Sequence, residues 1–176
     1  MSMNLLIKGE LFKMENDKNI TIFGAKLIFR NFQGKVSAYN KNGEKNVGIL
    51  LPDDIAEKAT ADGWNVKYLK PREDDPEQYR QPYLLVKVSY KFYPPEIYIN
   101  TSRGKTIQTE QSIAKLDWAN IQNVDVTIRP YHYPSVNGQP AGISAYVKSM
   151  VVTLEEDDVL KKYADVPDIG ALPFEM

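Results

Sequence analysis

Apolar and polar positions divide the chain into short strand-like runs separated by segments marked with glycine, asparagine and proline. "NITIFGAKLIF" (19–29) is rich in β-branched and aromatic residues and predicts a strand, with Gly24 as a bulge or bend. "NFQGKVSAYNKNGEKN" (31–46) has the composition of a long loop or hairpin arm that turns at "NGE". "VGILLP" (47–52) predicts a short buried strand. "DDIAEKATADG" (53–63) predicts a helix capped by Asp53 or Asp54, with Ile55 and Ala59 on its apolar face and Gly63 as its stop.

Strict alternation returns in "WNVKYLK" (64–70), a period-2 strand pattern, before the polar, proline-bounded loop "PREDDPEQYRQP" (71–82). "YLLVKVSYKFY" (83–93) is the strongest strand run and is closed by a proline pair. Another strand starts at "EIYI" (96–99), and "TEQSIAKL" (109–116) predicts a short helix with Thr109 as cap. "NVDVTIRPYHY" (123–133) and "GISAYVKSMVVTL" (142–154) predict two further strands around the loop "PSVNGQPAG". Six or seven strands with one or two short helices, and neither a sequence repeat nor a βαβ alternation, make the chain mainly β. An OB-like antiparallel barrel, closed or partly closed, fits best, and a β-sandwich is the alternative.

Composition narrows the class. A chain of 176 residues suits one domain with a full core, taken here as 1–154, followed by an acidic tail over 155–176 that is expected to be flexible. The tail holds seven acids against Lys161 and Lys162, so it carries −5 while the body carries +4. Such an asymmetry points to a nucleic-acid partner for the body and a separate role for the tail. The absence of cysteine excludes disulfides, thiolate metal sites and cysteine nucleophiles. The first apolar run, "MNLLIKGELF", is broken by Lys8, and no segment approaches the ~20 apolar residues of a membrane span, so a soluble protein of the cytoplasm with no membrane partner is expected.

Catalytic patterns are missing. The single histidine, His132 in "PYHYP", has no Ser, Cys or carboxylate at a motif spacing, and no Gly-rich phosphate loop occurs. "TSRGKT" (101–106) lacks the spacing of such a loop and reads as a basic turn. The acidic runs 73–75 and 155–158 read as solvated faces rather than metal sites. A non-enzymatic protein without cofactor is expected.

What recurs is an aromatic beside a cation. Phe32 lies between Arg30 and Lys35, Tyr39 precedes Lys41, and Tyr68 sits among Lys67, Lys70 and Arg72. Tyr90 and Tyr93 flank Lys91, Arg103 is near Lys105, and Arg129 precedes Tyr131 and Tyr133. Single-stranded nucleic acid is held by this pairing, because cations follow phosphates while ring faces stack on any base. The competing reading is a core: seventeen Tyr and Phe exceed what one surface needs, and Phe29, Tyr83 and Tyr98 are assigned to the interior. For Phe32, Tyr39 and Tyr131 in polar contexts both readings stand. In "IFRNFQGK" (28–35) the expectation is that Phe29 belongs to the core and Phe32 to a binding rim.

The stretches "IFRNFQGK", "DGWNVKYLKPRE", "PYLLVKVSY", "TSRGKT", "LDWANIQNVDVTIRPY" and "AYVKSMVVTLEEDD" resemble a family of small bacteriophage single-stranded DNA-binding proteins of OB-fold type, over about residues 18–160. The resemblance implies an OB-fold protein that coats single-stranded DNA in phage replication or recombination. The tail, ending in acid, Pro-Phe and acid, resembles the acidic tails with which such proteins compete with DNA and recruit replication or recombination partners. The expected binding set is Arg30, Phe32, Lys35, Tyr39, Lys67, Tyr68, Lys70, Arg72, Arg103, Lys105, Arg129 and Tyr131, with oligomerisation or cooperative coating supplying tight binding. The alternative is a non-enzymatic phage structural or protein-interaction module.

Overall fold

The computed structural model describes residues 2–7, 10–15, 19–71, 73, 74, 77, 79–167 and 169, with side chains from residue 19 onward. In chain order the elements are β1 (Ser2–Ile7), β2 (Glu10–Glu15), β3 (Ile20–Phe23), β4 (Leu27–Asn31), β5 (Lys45–Leu50), α1 (Asp53–Ala61), β6 (Lys67–Tyr68) and β7 (Pro82–Val88). They are followed by β8 (Glu96–Thr101), β9 (Gly104–Ile107), a 3-10 turn (Ser112–Asp117), β10 (Ile121–Tyr133), β11 (Gly142–Leu154) and α2 (Asp158–Lys162).

The predicted bend at Gly24 organises the barrel. Gly24 has φ +71°, where a side chain is disfavoured, and its N–H donates to Asp125 Oδ1 at 3.0 Å. Next to it the Ala25 N–H donates to Val124 O at 2.8 Å, and the Leu50 N–H donates to Lys26 O at 3.0 Å. Residues 20–31 therefore act as one bent strand, paired with β10 through its first half and with β5 through its second. The hydrogen-bonded path β3-β10-β11-β7-β5-β4 is open at its ends, and the chain joins those ends through three residues. Five strands in the order 20–31, β5, β7, β11, β10 close on themselves. All barrel pairs are antiparallel except β7 with β11, where Ala145 faces Val86 and Tyr146 faces Lys87.

More strands exist than the six or seven expected. β1 and β2 form a hairpin that extends the sheet beyond β3. "TSRGKT" is the tip of a β8–β9 hairpin rather than an isolated turn, with β8 laid parallel along the second half of β11. The alternating run 64–70 yields only the two-residue β6, because Trp64 leaves the pattern to enter the core and bridges to Ile143. The strand expected to reach residue 93 stops at Val88, the last inward position of β7. Neither aspartate caps α1: Pro52 holds that position, and Asp53 and Asp54 lie in the first turn, where the helix dipole favours them. Thr109 does close its turn, exchanging hydrogen bonds with Ser112.

Burial alternates along β7, with Pro82, Leu84, Val86 and Val88 inside and Tyr83, Leu85 and Lys87 outward. β4 breaks that rule. Its register slips between Ile28 and Asn31, and Phe29 takes φ +49°, so the phase of the strand inverts. Phe29 is turned out and 60% exposed, whereas Phe32 is swung inward and 0% exposed, the reverse of the sequence expectation. The Phe32 N–H donates to Asp117 Oδ1 at 2.6 Å and the Gln33 N–H to Asp117 Oδ2 at 3.1 Å, which lock the inversion. Arg30 donates through Nη1 to the carbonyls of Leu116 and Ala119, both at 2.9 Å, and so ties this strand to the end of the 3-10 turn.

Since a cavity at a fully buried phenylalanine costs about 3–5 kcal/mol, Phe32→Ala should lower the unfolding free energy by that amount in a denaturant titration. An unchanged midpoint would place Phe32 outside the core.

Candidate nucleic-acid interface

The outward side of the barrel carries a row of side chains across four strands. Asn46 on β5 faces Lys87 on β7, Lys87 faces Tyr146 on β11, and Tyr146 faces Arg129 on β10. Tyr146 is the hub. The Arg129 guanidinium lies 4.8 Å from its ring centre, Lys87 Nζ lies 5.8 Å away, and Tyr131 meets it edge-on at 6.2 Å. Tyr93, from the loop after β7, covers the Arg129 guanidinium at 5.0 Å, so the arginine is held between two rings. Lys87, Tyr93, Arg129, Tyr131 and Tyr146 line a groove of about 690 Å³ that also takes in Lys45, Tyr90 and Lys91.

Electrostatics leave the groove receptive to an anion. Lys87 pairs with Glu44 and Lys45 with Glu110, each at 4.0 Å between partly exposed groups. Such water-screened pairs contribute at most ~1 kcal/mol and exchange partners easily. Arg129 Nε is buried without a hydrogen-bond partner, as is the Tyr90 hydroxyl. A buried donor left unsatisfied is costly, and an incoming acceptor would relieve it. Burial, and then the charge of Glu110, push the Tyr90 phenol above its ordinary pKa, which keeps it a donor.

Two loops flank this face. Residues 32–44 are braced rather than slack: Ser37 and Asn40 pair, and Asn40 Nδ2 donates to the carbonyls of Lys35 at 3.0 Å and Glu44 at 2.9 Å. Tyr39 stands fully exposed within that brace. Loop 134–141 turns at Asn137 and Gly138, both with positive φ, as an Asn-Gly hairpin turn requires.

The structure divides the expected site residues. Arg129 and Tyr131 line the groove, and Lys35 and Tyr39 sit in the loop whose end, residues 42–44, forms its wall. Lys67 on β6 stands opposite Tyr83, Tyr68 opposes Pro82, and Lys70 is exposed in the loop that follows. Arg72 lies outside the described residues. Arg30 is exposed but donates to backbone carbonyls and lies outside the groove lining, and Phe32 is core, so neither joins the groove. Arg103 and Lys105 lie on the β8–β9 hairpin away from the groove lining, where Lys105 Nζ sits 4.2 Å from the Tyr98 ring centre. The residues that sequence reasoning missed are Lys45, Lys87 and Tyr146. For Lys87 and Tyr146 the signal was parity, since each alternates with buried apolar residues, whereas Lys45 shares the parity of the buried Val47 and Ile49 and no pattern marks it.

Beyond β11 the chain stays tied to the hairpin. The Glu156 carboxylate accepts from the N–H and the hydroxyl of Ser102, both at 2.5 Å, and Asp157 caps α2 through Val159 N–H at 2.8 Å. Residues 168 and 170–176, including the Pro-Phe end, lie outside the described residues. Among the described residues no helix is long and apolar enough to cross a membrane, and no group of three acids or histidines converges as a metal site.

A five-stranded barrel of this strand order, with a cationic, tyrosine-lined outer face across β5, β7, β11 and β10 and loops at its rim, has the OB-like fold. The chain belongs to the family described as "Putative phage ssDNA-binding domain", whose model matches residues 11–174. Among solved structures it is similar to the single-stranded DNA-binding protein from bacteriophage Enc34 in complex with ssDNA. The TM-score is 0.52 at 14% identity, covering 86% of this chain and 93% of that one. A C-terminal truncation of the Enc34 protein gives TM-score 0.52 at 14% identity, covering 86% and 92%. The Enc34 protein itself gives 0.50 at 15%, covering 86% and 88%. At these identities the likeness shows the fold. No curated protein matches the chain significantly.

The Ser102 hydroxyl and then its backbone N–H hold the Glu156 carboxyl below its ordinary pKa. A depressed carboxyl stabilises its contact above the ordinary glutamate value and loses it as pH falls through the lowered one. The Ser102 amide resonance should therefore titrate below the ordinary glutamate range, and Glu156→Gln should abolish that step. A midpoint at or above the ordinary value would contradict the contact.

Proposed function

We propose that this phage protein holds single-stranded DNA, without regard to sequence, along the groove centred on Tyr146 and Arg129. One observation carries the assignment: a guanidinium clamped between two tyrosine rings with its Nε buried and unpartnered. Arg129, Lys45, Lys87 and Lys91 meet phosphates, and the exposed faces of Tyr93 and Tyr131 accept bases at ~1–3 kcal/mol per stack. Sequence independence follows because the groove offers ring faces and charges more than base-edge partners. The likeness to the Enc34 protein, a single-stranded DNA-binding protein in complex with ssDNA, supports the same reading.

The role assigned is coating of single strands in replication or recombination within the bacterial host cytoplasm, with no catalytic step and no cofactor. Few cations line the groove, so tight coverage requires neighbouring copies to assist one another. The acids of 155–176 compete with DNA for the basic face, and the exposed Val159, Leu160 and Tyr163 offer an apolar contact to a replication or recombination protein.

A fluorescent dT oligonucleotide should bind with log K falling linearly in log salt, by about 0.7 per phosphate neutralised. Tyr146→Ala should weaken binding by about 1–3 kcal/mol. Glu44→Gln and Glu110→Gln should tighten it, because each releases a groove lysine to the phosphates. Absence of binding at low salt would sink the reading, and a preference for duplex would redirect it.

A further inference from the structure

The groove accounts for one end of the outward face. At the other end stands Phe29, whose backbone turns its own ring outward as it turns Phe32 into the core. Its φ of +49° lies in the left-handed region, which is unfavourable for any residue with a Cβ and uncommon for an aromatic. The distortion does not bury the ring, which stays 60% exposed and meets Tyr83 edge-on at 5.6 Å with an interplanar angle of 67°. An outlier that exposes a large apolar group is a motive to look for function.

Tyr83 shares the outward side of β7 with Leu85 and Lys87, and Lys87 reaches over Tyr146. The face therefore runs without interruption from Phe29 to Arg129. Tyr83 and Lys87 are four residues apart, about 13 Å along a strand. Between them lie the apolar side chains of Leu85 and Ile28. Gly48 stands opposite Leu85, and a Cβ at Gly48 would come within 2.7 Å of Ile28 Cγ1, so Ile28 lies directly against the strand there. Lys67, opposite Tyr83, supplies a cation at this end.

We infer that Phe29 and Tyr83 form a second base-stacking subsite, which takes an unstacked nucleobase of the strand whose phosphates lie at Arg129. This rests on the groove being the DNA site. The left-handed turn at Phe29 is the device that presents the ring, and the apolar floor between the two ends lets one strand cross both.

Phe29→Gly separates binding from folding. Glycine accepts the left-handed backbone freely, so the melting temperature should hold or rise. Affinity for a dT oligonucleotide should nevertheless fall about fivefold or more, with the salt dependence unchanged because no charge is altered. Tyr83→Phe, which keeps the ring, should bind as the wild type does. Wild-type affinity in Phe29→Gly would overturn the subsite while leaving the groove standing. A change in sedimentation with DNA affinity intact would assign the pair to a protein interface instead. Failure of the wild-type protein to bind would remove the groove and the subsite together.

Discussion

The structure depends on one strand serving two neighbours. Residues 20–31 pair with β10 before the bend and with β5 after it, and only the positive φ at Gly24 lets them do both. If that segment were straight, β5 and β10 would not share it and the sheet would have two free edges. Closure also gives the barrel an inside and an outside. The outside of β5, β7, β11 and β10 can then carry polar and aromatic side chains without cost to the core.

That outer face gathers charge without holding it rigidly. Glu44 and Glu110 each stand against one groove lysine and moderate its charge. Arg129 is treated differently. Two rings fix its plane, and its Nε has no partner among the described residues, so it is preorganised while the lysines are exchangeable.

Much of this was legible in the residues. The strands expected at 123–133 and 142–154 are found at 121–133 and 142–154, because long alternating runs leave little choice of element. Gly24 was readable as a bend and Arg129 with Tyr131 as part of a surface. What misled was phase. Alternation counted from Ala25 and Leu27, the inward residues after the bend, assigns Phe29 to the interior, and no composition rule announces that a non-glycine residue will take φ +49° and invert the strand. Phe32 thus moved to the core and Phe29 to the surface. For Arg30, local sequence shows a cation beside aromatics, while its hydrogen-bond partners are carbonyls 86 and 89 residues away. Tyr146 was passed over because the residue that faces it, Arg129, becomes visible only once β10 and β11 are paired in register.

The central claim is a location: the strand lies across β5, β7, β11 and β10. Photocrosslinking of a halogenated-uracil oligonucleotide, followed by mapping of the modified residues, reads that location directly. The account predicts adducts at Tyr93, Tyr131 or Tyr146. Adducts confined to Tyr98 and the β8–β9 hairpin, with the groove unmodified, would contradict it.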